Sequence, residues 1–166
     1  GNGYAINAII GSREVMEHAN DTFISSTFWT ERIGPSAALA ALEAMEEEDA
    51  PARIDHIGYE IRSVWDEAAS WAGLPLTVSG LPALSVFATD SVAPSSFKNA
   101  VTRHMLTAGY LATPAVYSCS AHSPDVVRRY GEALANALKT TAESRNEPPD
   151  GVEPEGSSAQ GFGRLA

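Results

Sequence analysis

The stretch LPLTVSGLPALSVFATD, Leu74 to Asp90, breaks the texture of a chain whose apolar residues otherwise recur mostly at helical spacing. β-Branched and aromatic residues fill it, and Pro75, Gly80 and Pro82 punctuate it. That pattern predicts two short strands in a hairpin-like arrangement. Downstream, the spacing predicts a helix from about Ser95, with Phe97, Val101 and Met105 on one face and Gly109 as its stop. PAVYSCSAH reads as a further strand. SPDVVRRYGEALANALKTTAES then carries strong helix signals: Ser123 as N-cap, Pro124 at the first position and Asp125 in the first turn. Val127, Tyr130, Leu134 and Leu138 make its apolar side. The order strand, strand, helix, strand, helix over 74–144 is that of a small α+β unit with an antiparallel sheet.

Upstream the chain has another character. GNGYAINAIIG opens with turn residues and continues as an apolar run, Ala5 to Ile10, which predicts a buried strand. SREVMEHA predicts a short helix capped by Ser12, with Glu14 in its first turn and Val15 and Met16 on its apolar side. TFISSTFW is hydroxyl-rich and aromatic, fitting an extended or loop segment. Gly34-Pro35 starts an Ala-rich helix through Met45, because proline suits the first helical position. Glu46 to Asp49 is its solvated end, and Asp49 and Pro51 reset the chain. Ile54, Ile57, Ile61, Val64, Trp65 and Ala68 then repeat at helical spacing until Gly73. Four segments result: 1–34, the trailing edge of something larger; 35–73, connecting helices; 74–144, the small unit; and 145–166, a flexible acidic tail with an apolar end, GFGRLA, that docks back.

At 166 residues the chain suits one domain or parts of two, and 44% hydrophobic residues suffice for a core. A net charge of −10 argues against nucleic acid. No apolar run reaches the ~20 residues of a membrane span, and the first residues do not read as a charged-then-apolar signal peptide. The single cysteine, Cys119, excludes an internal disulfide framework and makes a reducing, cytoplasmic setting the expectation. Cys119, read mid-strand without a basic neighbour, is expected to be a buried inert thiol. His18, His56, His104 and His122 lack metal-ligand spacing and read as surface or helix-end residues. Phosphate-loop, nucleophile-elbow and dinucleotide motifs are missing.

The unusual stretch is STFWTERIGP, Ser26 to Pro35. Thr27 and Thr30 are neutral hydroxyl donors suited to a phosphate, with a following helix N-terminus to add a favourable dipole. Arg32 suits a carboxylate. The same residues also fit a plain Ser/Thr-rich loop with a Glu31–Arg32 ion network, and composition leaves both readings open.

GNGYAINAIIGSREVM, TFISSTFWTERIGPSAALAAL and AVYSCSAHSPDVVRRYGEAL, in that order, resemble the C-terminal part of class III pyridoxal-phosphate-dependent aminotransferases, nearest the glutamate-1-semialdehyde aminomutase-like branch. The resemblance runs from Gly1 to about Leu138, with GFGRLA also similar to that family's ending. It implies a type I transferase fold, a large α/β domain followed by a small α+β domain, and a homodimer with active sites at the subunit interface. It implies pyridoxal 5'-phosphate as cofactor and amino-group transfer between an amine donor and a carbonyl acceptor, or within one substrate. The Schiff-base lysine is expected just before the Gly-Asn-Gly turn, outside this chain, which begins without Met; Lys98 and Lys139 do not replace it. Thr30, or else Thr27, is the expected holder of the cofactor phosphate of a neighbouring subunit, while Glu31 and Arg32 gain no secure counterpart. The competing expectation is a non-catalytic small domain for oligomerisation or ligand sensing.

Overall fold

A computed structural model of the chain describes residues 2–25, 27, 28 and 30–144; the tail and its docking end, 145–166, lie outside the described residues. The chain divides into two compact units, residues 1–51 and the remainder from Ala52.

In the second unit a long helix, α3 (Ala50–Ala72, its first two residues counted with the first unit), leads into a hairpin, β1 (Thr77–Leu81) and β2 (Leu84–Ala88). Helix α4 (Pro94–Thr107), strand β3 (Ala115–Tyr117) and helix α5 (Pro124–Ser144) follow. The sheet is antiparallel throughout in the order β1-β2-β3, with Thr77 opposite Ala88 and Leu84 opposite Tyr117. The expected order of elements in this unit is the observed one. Gly73 and Gly109 stop their helices at φ +62° and +89°, a backbone region that residues with a Cβ rarely enter. Ser123 accepts from the Val126 N–H at 3.4 Å, as an N-cap should.

β2 shows why this sheet needs helices. Ser85 and Phe87 point inward and are buried, while Leu84, Val86 and Ala88 point out. Phe87 meets Trp65 of α3 edge to face at 4.7 Å and Phe97 of α4 at 5.9 Å. Val101, Met105, Leu134 and Leu138 close the same core. Ile57, Ile61, Trp65 and Ala68 of α3 also belong to it. The helix expected to be a connection therefore carries one wall of the small unit, because its apolar stripe faces the sheet.

The hairpin is held to α3 by close approach and by an arginine. A Cβ on Gly58 would stand 2.1 Å from the Pro82 carbonyl oxygen, so only glycine lets the hairpin turn sit there. Arg62 donates to Ser85 Oγ at 2.8 Å and to the Gly80 carbonyl at 2.9 Å. Ser85 in turn donates to the Leu81 carbonyl at 3.0 Å, so its buried hydroxyl is satisfied.

Strand β3 is shorter than expected. It ends at Tyr117, after which Ser118 donates its N–H to Ala83 (2.9 Å) and its hydroxyl to Pro82 (3.2 Å). Cys119 consequently lies beyond the ladder and is exposed, contrary to the buried thiol expected from a mid-strand position.

The first unit contains a short helix α1 (Arg13–Glu17), a 3₁₀ turn (His18–Asp21) and helix α2 (Ile33–Glu47). Ser12 caps α1, accepting from Val15 N at 3.5 Å. Ala5–Ile10 is not the expected buried strand: it forms no ladder, and its residues are exposed. Strand structure needs a partner edge, and the described residues of this unit supply none.

Candidate functional site

The loop ahead of α2 holds the residues that the sequence singled out. Thr27, Thr30 and Arg32 are all exposed, and Glu31 is partly buried. The helix begins two residues before Pro35, at Ile33, with Arg32 in the N-cap position and making no side-chain capping bond. The capping is done instead by Glu31. Its carboxylate accepts from the Ile33 N–H at 2.5 Å through Oε1 and from the Gly34 N–H at 3.1 Å through Oε2. A carboxylate spanning two first-turn amides is a charge-assisted cap and also complements the helix dipole.

This changes what the loop can do. The two leading N–H donors of α2 are already engaged by a negative charge, so an anion at the helix N-terminus would compete with Glu31. Thr27, Thr30 and Arg32 take no part in this cap. Gly34 explains how tightly the loop is held. It is buried, and a Cβ on it would lie 3.1 Å from the Ala5 carbonyl oxygen and 3.4 Å from Ile6 Cβ. The chain at Ala5 and Ile6 and the start of α2 thus come together within the first unit, with Glu31 at the seam. The signal for Glu31 in the sequence is a carboxylate three residues before a glycine in the helix's first turn, a spacing at which a side chain reaches forward to first-turn amides.

The other candidates stand apart from this loop in the chain. Lys98 is exposed on α4. Lys139 on α5 lies over the Trp71 ring with Nζ 4.7 Å from its centroid, a cation–π contact. Among the described residues no group of three or more His, Cys, Asp or Glu side chains could hold a metal ion. No described helix is long and apolar enough to cross a membrane.

Comparison with known proteins gives the chain its relatives. It is 24% identical over 143 residues to a 2'-deamino-2'-hydroxyneamine transaminase of Streptomyces kanamyceticus, covering 81% of this chain and 36% of that protein. It is 29% identical over 161 residues to a glutamate-1-semialdehyde 2,1-aminomutase of Aeropyrum pernix, covering 84% and 37%. An 86-residue stretch is 34% identical to a 3-aminobutyryl-CoA aminotransferase of Cloacimonas acidaminovorans, covering 49% of this chain and 20% of that protein. Among solved structures, the FumI protein of Sphingopyxis sp. MTA144, determined in its PLP internal aldimine form, superposes with a TM-score of 0.68 at 23% identity. That match covers 81% of this chain and 33% of that one. No family model matches the sequence. The chain spans only 36% and 37% of the length of the first two relatives. Its fold is that of part of a type I transferase, as the resemblance implied.

Proposed function

We propose that this chain is the C-terminal part of a pyridoxal-phosphate-dependent class III aminotransferase or aminomutase, in which residues 1–34 trail from a large domain and 74–144, with α3 as one wall of its core, form the small one. The observation that supports this reading most is the agreement of two measures: transaminases and an aminomutase by sequence, and a transferase fold over 81% of the chain. The complete enzyme would be a cytoplasmic homodimer that moves an amino group between an amine donor and a carbonyl acceptor, or within one substrate.

The loop fits the phosphate end of such a cofactor, within a limit. Thr27 and Thr30 present exposed neutral donors, and Arg32 adds positive charge beside them. Glu31 excludes the α2 N-terminus from the binding set while it caps the helix. Thr30 is the first choice and Thr27 the second, each donating its hydroxyl to a phosphate oxygen of the cofactor held in the neighbouring subunit. The cofactor, when bound, supplies the electron sink for breaking bonds at the amine-bearing carbon. The part of this chain is to hold the cofactor's phosphate in place, which keeps the reacting bond aligned.

Neither lysine here is placed for imine chemistry, Lys139 being stacked on Trp71. The isolated 166 residues therefore carry out no amino transfer. Incubation with one equivalent of pyridoxal phosphate, borohydride reduction and peptide mapping should give neither Lys98 nor Lys139 a stoichiometric label; stoichiometric labelling of either overturns the assignment. In the complete enzyme, Thr30→Ala should weaken cofactor retention by ~1.5–3 kcal/mol for each lost hydrogen bond to the charged phosphate. Unchanged retention in Thr30→Ala with loss in Thr27→Ala transfers the role to Thr27, and unchanged retention in both removes the loop from the site.

One observation favours a second reading, a non-catalytic module. The unit from Ala52 closes its own core around Trp65, Phe87 and Leu134. A gene whose reading frame opens at Gly1, without a large domain ahead of it, would select that reading.

A further inference from the structure

A cleft of about 310 Å3 opens in the second unit between the loop that follows α4, strand β3 and the first turns of α5. Ile61 and Val126 give it apolar walls, Tyr110 and Tyr130 give it aromatic ones, and Leu111 stands at the mouth, 97% exposed. The two tyrosine rings meet edge to face, with centroids 6.2 Å apart. Among the described residues no Asp, Glu, Lys or Arg lines the cleft.

Tyr110, Tyr117, Tyr130 and His122 bring the polar groups into this apolar setting, and the hydrogen bonding of two of them is defined. Trp65 donates its indole N–H to the Tyr130 hydroxyl at 3.0 Å, so the phenol is the acceptor there and keeps its own proton for another partner. Burial pushes that phenol up to about 12, with the Trp65 bond opposing, so it stays protonated through the physiological range. His122 accepts the Cys119 N–H on Nδ1 at 3.4 Å.

We propose that this cleft is a binding site for a small neutral aryl carbonyl compound, its ring against Tyr110 and Tyr130 and its carbonyl oxygen accepting from the Tyr130 hydroxyl. The size agrees: an apolar cavity of about 150 Å3 takes benzene, so twice that space admits a ring with a substituent. The Tyr130 hydroxyl calls for an acceptor on the ligand. A lining without lysine or arginine selects against a carboxylate, which would lose its hydration with no fixed cation to replace it. The site rests on residues 61–130 alone and stands whether or not the chain belongs to a cofactor enzyme.

Acetophenone is the probe, titrated into the full 166-residue chain and followed by saturation-transfer NMR and tryptophan fluorescence. Saturable binding is expected, with benzoate at least about tenfold weaker because of its desolvation. Tyr130→Phe should weaken acetophenone roughly three- to tenfold by removing one hydrogen bond. Leu111→Glu changes only a rim residue and should weaken binding without touching the core, and Ala112→Trp should fill the cleft and abolish it. If Tyr130→Phe loses its fold by circular dichroism, the other two variants decide. The proposal is overturned by the absence of saturable binding up to about 10 mM, where even a weak specific site fills. It is equally overturned by benzoate binding as well as acetophenone, or by undiminished binding in both Leu111→Glu and Ala112→Trp.

Discussion

Glu31 offers the sharpest test of how the loop ahead of α2 is built. Its carboxylate accepts from Ile33 and Gly34 at 2.5 and 3.1 Å, so Glu31→Ala leaves two first-turn amides without a partner. Hydrogen bonds to a charged acceptor are worth ~1.5–3 kcal/mol each in a buried setting. This carboxylate is only partly buried, and water replaces part of what is lost. The relevant scale is therefore that of cap removal, ~0.5–2 kcal/mol, with the helix dipole contributing ~0.3–1 kcal/mol of it. A local cost of ~1–2 kcal/mol corresponds to a factor of roughly 5–30 in the opening equilibrium.

Amide hydrogen exchange reads that number where it arises. Protection of residues 33–36 should fall roughly 5- to 30-fold in Glu31→Ala, while amides of α5 serve as the internal standard. Glu31→Gln keeps one carbonyl acceptor and loses the charge, so its effect should lie between wild type and alanine. The same substitution tests the proposed competition at the helix start. With the carboxylate gone, sulfate should restore protection to Ile33 and Gly34 in Glu31→Ala and leave the wild type unchanged. Unaltered exchange at 33–36 in Glu31→Ala would refute the cap. A cap confirmed without any sulfate rescue would refute the claim that Glu31 is what keeps anions from the helix.

Other consequences are more direct. Gly58→Ala should destabilise the second unit by ~1–3 kcal/mol in urea unfolding, since the gain of ~1 kcal/mol in helix propensity is outweighed by a contact that must open by about an ångström. Gly131→Ala, whose added Cβ would meet Val64 Cγ1 at 2.2 Å, should also destabilise by ~1–3 kcal/mol, because a β-branched side chain in a helix has little freedom to turn aside. Leu134→Ala, at a core position 1% exposed, should cost ~2–5 kcal/mol by the same measurement. Asp125 lies below its ordinary 3.8 because Arg128 donates to it, with the charge of Arg129 adding to the effect. A carboxylate lowered by folding stabilises at pH above its unfolded value, and that stabilisation is lost as pH falls through the folded one. The helix signal of the wild type should therefore fall below pH 3.8, and Asp125→Asn should flatten that limb, modestly because the pair is exposed.

What was legible in the sequence was local. Ser12 and Ser123 announce their helices because an N-cap needs only a hydroxyl and the next turn. Phe97, Val101 and Met105 declare a buried face by spacing alone, and Gly73 and Gly109 mark stops that demand positive φ. The failures share a cause in contacts that spacing does not carry. Ala5–Ile10 is apolar enough for a strand, but a ladder is a property of two segments, and the described part of its unit holds no second one. Cys119 reads as mid-strand because nothing in its neighbours shows that Ser118 leaves the ladder to bond Ala83 and Pro82. The aromatic cleft depends on Trp65 meeting Tyr130 across 65 residues of chain, and on Tyr110 turning onto the same ring.

The hydroxyl loop falls between these cases. Its residues were conspicuous, and the helix after it was legible, but their division of labour was not. Two readings were open, an anion site reinforced by the helix dipole or an ion network between Glu31 and Arg32. The structure gives Glu31 a third role, because its carboxylate meets the Ile33 and Gly34 amides. A negative group already seated at the positive end of α2 removes the dipole from any phosphate site nearby, so the binding energy must come from hydroxyl geometry and from Arg32. Such a site is weak by itself. Its strength has to come from whatever else surrounds the anion, which is the arrangement expected if the phosphate is anchored mainly by another subunit and Thr30 adds the last hydrogen bond.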